Sequence, residues 1–300
     1  MDHFEEYRQA INLLDKGDKK GAITKLRLVW ASSPESVGKL DVGTRLLALL
    51  NQVDDHKELL QLGSEVEDLA TKLGHRGAAA YAAGIHALTL TQKLPSIFHR
   101  QKDITLPRGW FGFALVIEKQ EYEELEKKVK EIDDQVEILF QRALDFSHDD
   151  LSARANVYQF QTQAYENRIT LFDFQNLRMP SMWLYYLSKV LGIQFYFLFN
   201  GKARRQRNKL LRRVNSLYRH TLVAYRLSHD KLGEAYLYYT WTQHHKMQFR
   251  FIRARWTLWK SERVALELND QLLIAQIELL KKSLALKNKD ISGDHVDYKI

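Results

Sequence analysis

Phe4-Glu-Glu-Tyr-Arg-Gln-Ala-Ile-Asn-Leu-Leu-Asp-Lys-Gly-Asp18 runs directly into Lys19-Lys-Gly-Ala-Ile-Thr-Lys-Leu-Arg-Leu-Val-Trp-Ala-Ser-Ser-Pro-Glu-Ser36. In the first half, Ala10, Leu13 and Leu14 fall on one helical face; in the second, Ala22, Leu26 and Val29 do the same. Lys16-Gly17-Asp18 supplies a turn between them, and Ser32-Ser33-Pro34 supplies a stop, because proline cannot continue a helix. The stretch reads as two antiparallel helices joined by a short turn.

Gly17, Asp18, Ala22, Leu26, Val29 and Pro34 stand at the spacing of the second helix of a tetratricopeptide repeat, and the stretch resembles that family, with Leu and Val replacing two of its usual residue types. Small residues at such positions let paired helices approach closely. Leu232-Gly233-Glu-Ala-Tyr236 is similar to the opening of the same repeat, with His229 in place of the usual tryptophan. The resemblance implies an all-α, right-handed superhelix of antiparallel helix pairs and a habit of binding proteins. Relatives that clamp a terminal carboxylate use a basic residue and an Asn four positions later; Arg8 and Asn12 match that opening pair only.

Residues 37 to 92 continue as helical hairpins. Val42, Leu46, Leu47, Leu49 and Leu50 form one apolar face, and Leu59, Leu62, Val66, Leu69 and Leu73 form the next, with Gly74 as a terminator. The run Gly77-Ala-Ala-Ala-Tyr-Ala-Ala-Gly84 predicts a helix packed tightly on its neighbours. Residues 1 to 93 are thus an acidic set of helix pairs. Residues 94 to 114 form an inserted loop holding Pro95, Pro107 and the aromatics Trp110, Phe111 and Phe113, which either plug a groove or make a docking loop.

Helical repeats resume over 115 to 286, and a polar tail follows from 287 to 300. Tyr122, Leu125, Val129, Ile132, Val136, Leu139, Ala143 and Phe146 make a heptad seam over 122 to 146, suited to a neighbouring helix of the same chain or to a dimeric coiled coil. Ser147-His-Asp-Asp150 reads as a stop and a cap before a helix from Leu151.

Residues 174 to 229 contain no Asp or Glu and eleven Lys or Arg. Over residues 1 to 173 the net charge is -6, and over residues 174 to 300 it is +14. Residues 182 to 199 are apolar nearly all round, which suits a buried helix, a membrane-surface contact or a short span. After Asn200-Gly201 a helix begins in which Arg205, Arg212, Arg219 and Arg226 recur every seven residues, widened by Lys202, Arg204, Lys209 and Arg213 into a basic stripe. Such a stripe needs an anion or the acidic faces of other helices. Farther on, Phe249, Ile252, Trp256 and Trp259 are expected to form the core face of a later helix.

Catalytic signatures are absent from the sequence: it has no cysteine, no glycine-rich phosphate loop and no paired metal-ligand spacing, so no catalytic residues, no metal and no cofactor are expected. The reading is a cytoplasmic, non-catalytic adaptor whose basic stripe holds an acidic protein or peptide segment. Two alternatives stay open. An RNA-binding repeat protein would stack bases on Tyr218, Trp256 or Trp259, and a peripheral membrane protein would use 182 to 199 beside the arginines.

Overall fold

The computed structural model describes residues 3–53, 55–99, 119–175, 201–248 and 250–291. Among the described residues there is no strand, and the helices pack in sequence order. They are α1 (His3–Asp15), α2 (Lys19–Ser32), α3 (Val37–Gln52), α4 (His56–Lys72), α5 (Arg76–His99), α6 (Lys119–Phe146), α7 (Leu151–Gln175), α8 (Gly201–Leu227), α9 (Lys231–Met247), α10 (Phe251–Leu268) and α11 (Gln271–Ile291). They divide into two compact units, α1 to α7 and α8 to α11.

The opening pair forms as its residues dictate. Gly17 takes φ +80°, the left-handed conformation that closes the turn, and Asp18 caps α2 by accepting the Gly21 N–H at 2.9 Å. Ala22, Leu26 and Val29 are buried against neighbouring helices. Ser36 and Asp55 cap α3 and α4, and Gly74, at φ +71°, follows α4 as expected.

The alanine-rich run packs tightly. Ala79, Ala80, Ala82 and Ala83 are fully buried, and a Cβ on Gly84 would lie 2.7 Å from the Phe160 ring of α7. The helix that carries them continues through Pro95 to His99. From Ile132 onward the heptad seam of α6 is filled by the chain itself: Val136, Leu139, Phe140 and Ala143 share one core with α4, α5 and α7. Arg168 of α7 holds Asp133 and Glu137 of α6, each at 2.7 Å, and Arg142 of α6 holds the buried Glu67 of α4 at 2.9 Å. The acids of this unit are therefore partly engaged by its own cations.

Trp110, Phe111, Phe113 and the apolar stretch 182 to 199 lie outside the described residues. No helix of the described residues is long and apolar enough to cross a membrane.

Candidate functional site

The basic face of α8 exists because the other side of the helix is committed to the core. Leu211, Val214, Leu217, Tyr218, Thr221, Ala224 and Tyr225 are buried, and α9 is the helix they meet. The Tyr218 ring lies parallel to the Trp241 indole of α9, with centroids 5.1 Å apart and His244 tilted beside it. Arg207 is buried as well and donates to the Gln248 side-chain oxygen at 2.7 Å. Rotation of α8 is fixed by these contacts, so Arg205, Lys209, Arg212, Arg213, Arg219 and Arg226 all face outward.

Between α8 and the start of α10 lies a groove of about 560 Å³. Arg212 and Arg219 enter it from α8, and Arg250 and Arg253 from α10. Asn208, Asn215 and Ser216 add neutral polar groups, and among the described residues no carboxylate lines it. Burial first, then the neighbouring Arg253 and Arg207, push the Arg250 guanidinium below its ordinary value. His245, buried in α9, is pushed down to about 4 by burial first and then by His244, Arg250 and Arg253, so it is neutral at pH 7.

The carboxylates nearby are already used. Between Gly201 and Leu284 the sequence has six: Asp230, Glu234, Glu262, Glu267, Asp270 and Glu278. Asp230 and Asp270 cap α9 and α11 through the Gly233 and Leu273 N–H groups. Glu234 pairs with Arg226, Glu262 and Glu278 with Lys281, and Glu267 with Lys231 and Arg263. The groove arginines find no carboxylate among them.

Of the residues singled out from the sequence, Arg212 and Arg219 come together in the groove. Arg205, Lys209 and Arg213 are exposed on α8 outside its lining, and Lys202 and Arg204 sit in the first turn, their side chains beyond the described set. Arg226 is clamped at home: Glu234 accepts from it at 2.9 Å and the Tyr238 hydroxyl at 2.9 Å. Arg250 and Arg253, legible in the sequence only as part of the basic run Lys246, Arg250, Arg253, Arg255 and Lys260 of a later helix and not as part of the stripe, are brought into the same groove.

Two expectations about aromatics are corrected. Trp256 and Trp259 are 54% and 51% exposed, and Ile252 is 86% exposed, because α10 meets α9 through small residues instead. Ala254, Thr257 and Ser261 face Ala235 and Thr242: the Ser261 hydroxyl donates to the Ala235 carbonyl, and the Thr242 and Thr257 hydroxyls bond each other, both at 2.8 Å. Helices that close leave no room for indoles. Tyr218, conversely, is only 2% exposed and cannot stack on a base.

No protein-family model matches the chain, and no curated protein does. Among solved structures the chain is similar to a tetratricopeptide repeat protein from Parabacteroides merdae ATCC 43184, at 14% identity over 92% of this chain and 98% of that one, with a TM-score of 0.22. A score so low carries no argument, and the all-α helix-pair architecture rests on the packing described above.

Proposed function

We propose that this protein is a non-catalytic helical-repeat adaptor that grips an acidic protein or peptide segment in the groove between α8 and α10. One observation carries the reading: every carboxylate from Gly201 to Leu284 is spent on a cap or an ion pair, while four arginines converge on a groove that no carboxylate of the described residues lines. Positive charge gathered in a concave, partly desolvated place attracts and orients an anionic partner. The cysteine-free composition suits a reducing compartment, and the reading places the protein in the cytoplasm.

The test is fluorescence anisotropy with a labelled Glu/Asp-rich peptide. Affinity should fall about tenfold between roughly 50 and 300 mM salt, as expected of an exposed electrostatic contact. Replacing Arg212, Arg219 and Arg253 together with Glu should remove both the binding and its salt dependence. Unchanged affinity in that variant would make the groove a merely solvated surface.

A second reading, single-stranded RNA, is favoured by the exposure of Trp256 and Trp259 one turn or so from Arg253. Lys260 already lies over both rings, 5.6 and 4.9 Å from their centroids, which sets the peptide reading ahead. Tighter binding of RNA than of the acidic peptide, lost on Trp256→Ala with Trp259→Ala, would reverse that order.

A further inference from the structure

We infer that the groove recognises phosphomonoester groups, and that the segment it holds is a phosphorylated one. This rests on the adaptor reading and narrows it from acidity in general to one anion chemistry.

The charged groups in the lining are all guanidinium, with no ammonium among the described residues. Guanidinium presents a planar fork of N–H donors that meets two oxygens of one phosphate at once, where an ammonium acts as a point charge. Charge density points the same way. To balance Arg212, Arg219, Arg250 and Arg253, four carboxylates would have to crowd into about 560 Å³ and repel one another. A phosphomonoester carries about -1.5 to -2 at pH 7, so a pair of them supplies nearly the same charge from two centres. The volume exceeds what one phosphate fills and lies within the range of small-ligand sites, roughly 300 to 1,000 Å³.

Phosphate also brings more acceptor oxygens than a carboxylate, and the groove has neutral partners for them. Asn208 and Ser216 line it, and Asn215 does so while one of its N–H groups is given to the Leu211 carbonyl at 2.7 Å. The start of α10 adds to the same field. Asp or Ser oxygens cap α2, α3, α4, α7, α9 and α11, but Arg250 occupies that position in α10 and offers no side-chain oxygen to the first turn. The positive end of the α10 dipole therefore reinforces the arginines beside it.

Isothermal titration of the full chain with a diphosphoserine peptide, and with the same peptide carrying Glu at both positions, tests the assignment. The phosphopeptide should bind at least about tenfold tighter, since bidentate charge-assisted bonds are at stake. Arg212→Gln with Arg250→Gln should abolish the preference, and Arg212→Lys with Arg250→Lys should restore charge but only part of it. Equal affinity for the two peptides overturns the phosphate assignment and leaves the adaptor reading standing; no binding of either peptide overturns both. Two further arms locate the source. If inorganic tripolyphosphate binds more tightly than the phosphopeptide, the phosphate chemistry is upheld and a peptide carrier is overturned. If a single-stranded RNA binds more tightly than both, the proposal fails in favour of a nucleic acid.

Discussion

Tyr218 of α8 lies flat on Trp241 of α9, with ring planes 2° apart and centroids separated by 5.1 Å. Tyr218 is 2% exposed and precedes Arg219, which lines the groove, so the stack sets both the grip between the two helices and the rotation of the basic face. Tyr218→Ala should destabilise this unit by about 3 to 5 kcal/mol, the loss typical of a truncated buried aromatic. Urea denaturation followed by tryptophan fluorescence reads the loss.

Overpacking should be equally visible in the first unit. A Cβ on Gly84 would lie 2.7 Å from Phe160, whose ring is pinned edge-on by Tyr81 at 5.4 Å. Gly84→Ala should therefore destabilise by about 1 to 3 kcal/mol, although alanine is the better helix former at an open site. If thermal unfolding shows a gain, α5 and α7 are not in such close contact.

The buried His245 gives a pH signature. Its pKa is about 4 in the folded chain against an ordinary 6.5, so the unfolded chain binds the proton more readily. Its stabilising contribution is complete above about pH 6.5 and lost progressively as pH falls toward 4, up to about 3 kcal/mol in all. His245→Gln should flatten that part of the profile in urea titrations from pH 7 to pH 4.5. An unchanged slope would mean that the ring is not held neutral.

Arg168 closes α6 on α7 through Asp133 and Glu137 and lies 4.7 Å from the Tyr165 ring centroid. Its side chain is 11% exposed while its partners are wetter. Arg168→Met should destabilise by about 2 kcal/mol, less than breaking a fully buried pair, because the freed carboxylates can hydrate. A melting temperature unaltered by the substitution would count against the clamp.

Much of this architecture was legible in the residues and part of it was not, for physical reasons. Local chemistry reads directly: Gly17, Asp18 and Gly74 make the turns and caps that their backbone freedom and side-chain oxygens favour. The alanine run announced close packing because small side chains permit little else. What α10 would bury was not legible, since the choice between its small face and its tryptophan face depends on α9 offering Ala235 and Thr242. The groove was half legible for the same reason. Arg212 and Arg219 lie one above the other on a single helix, but their meeting with Arg250 and Arg253 comes from packing across an intervening helix, which no periodicity records.

Arg226 and Arg212 share one seven-residue spacing and have opposite fates. Arg226 donates to Glu234 and to Tyr238, whereas Arg212 opens onto the groove. Charge counting alone would give the two equal weight in binding an anion, but an arginine already paired has little left to offer a ligand. Arg226→Ala should therefore leave affinity for an acidic or phosphorylated peptide within about twofold and lower stability by about 1 to 2 kcal/mol, because it strips the cation from Glu234, whose side chain is only 12% exposed. Arg212→Ala should weaken the same peptide by about tenfold or more, with stability nearly unchanged, because a charge-assisted bond is lost from the ligand and none from the fold. Parallel anisotropy and denaturation series on the two variants separate the cases, and equal losses of affinity would show that the whole line of arginines, instead of the groove, is what a partner meets.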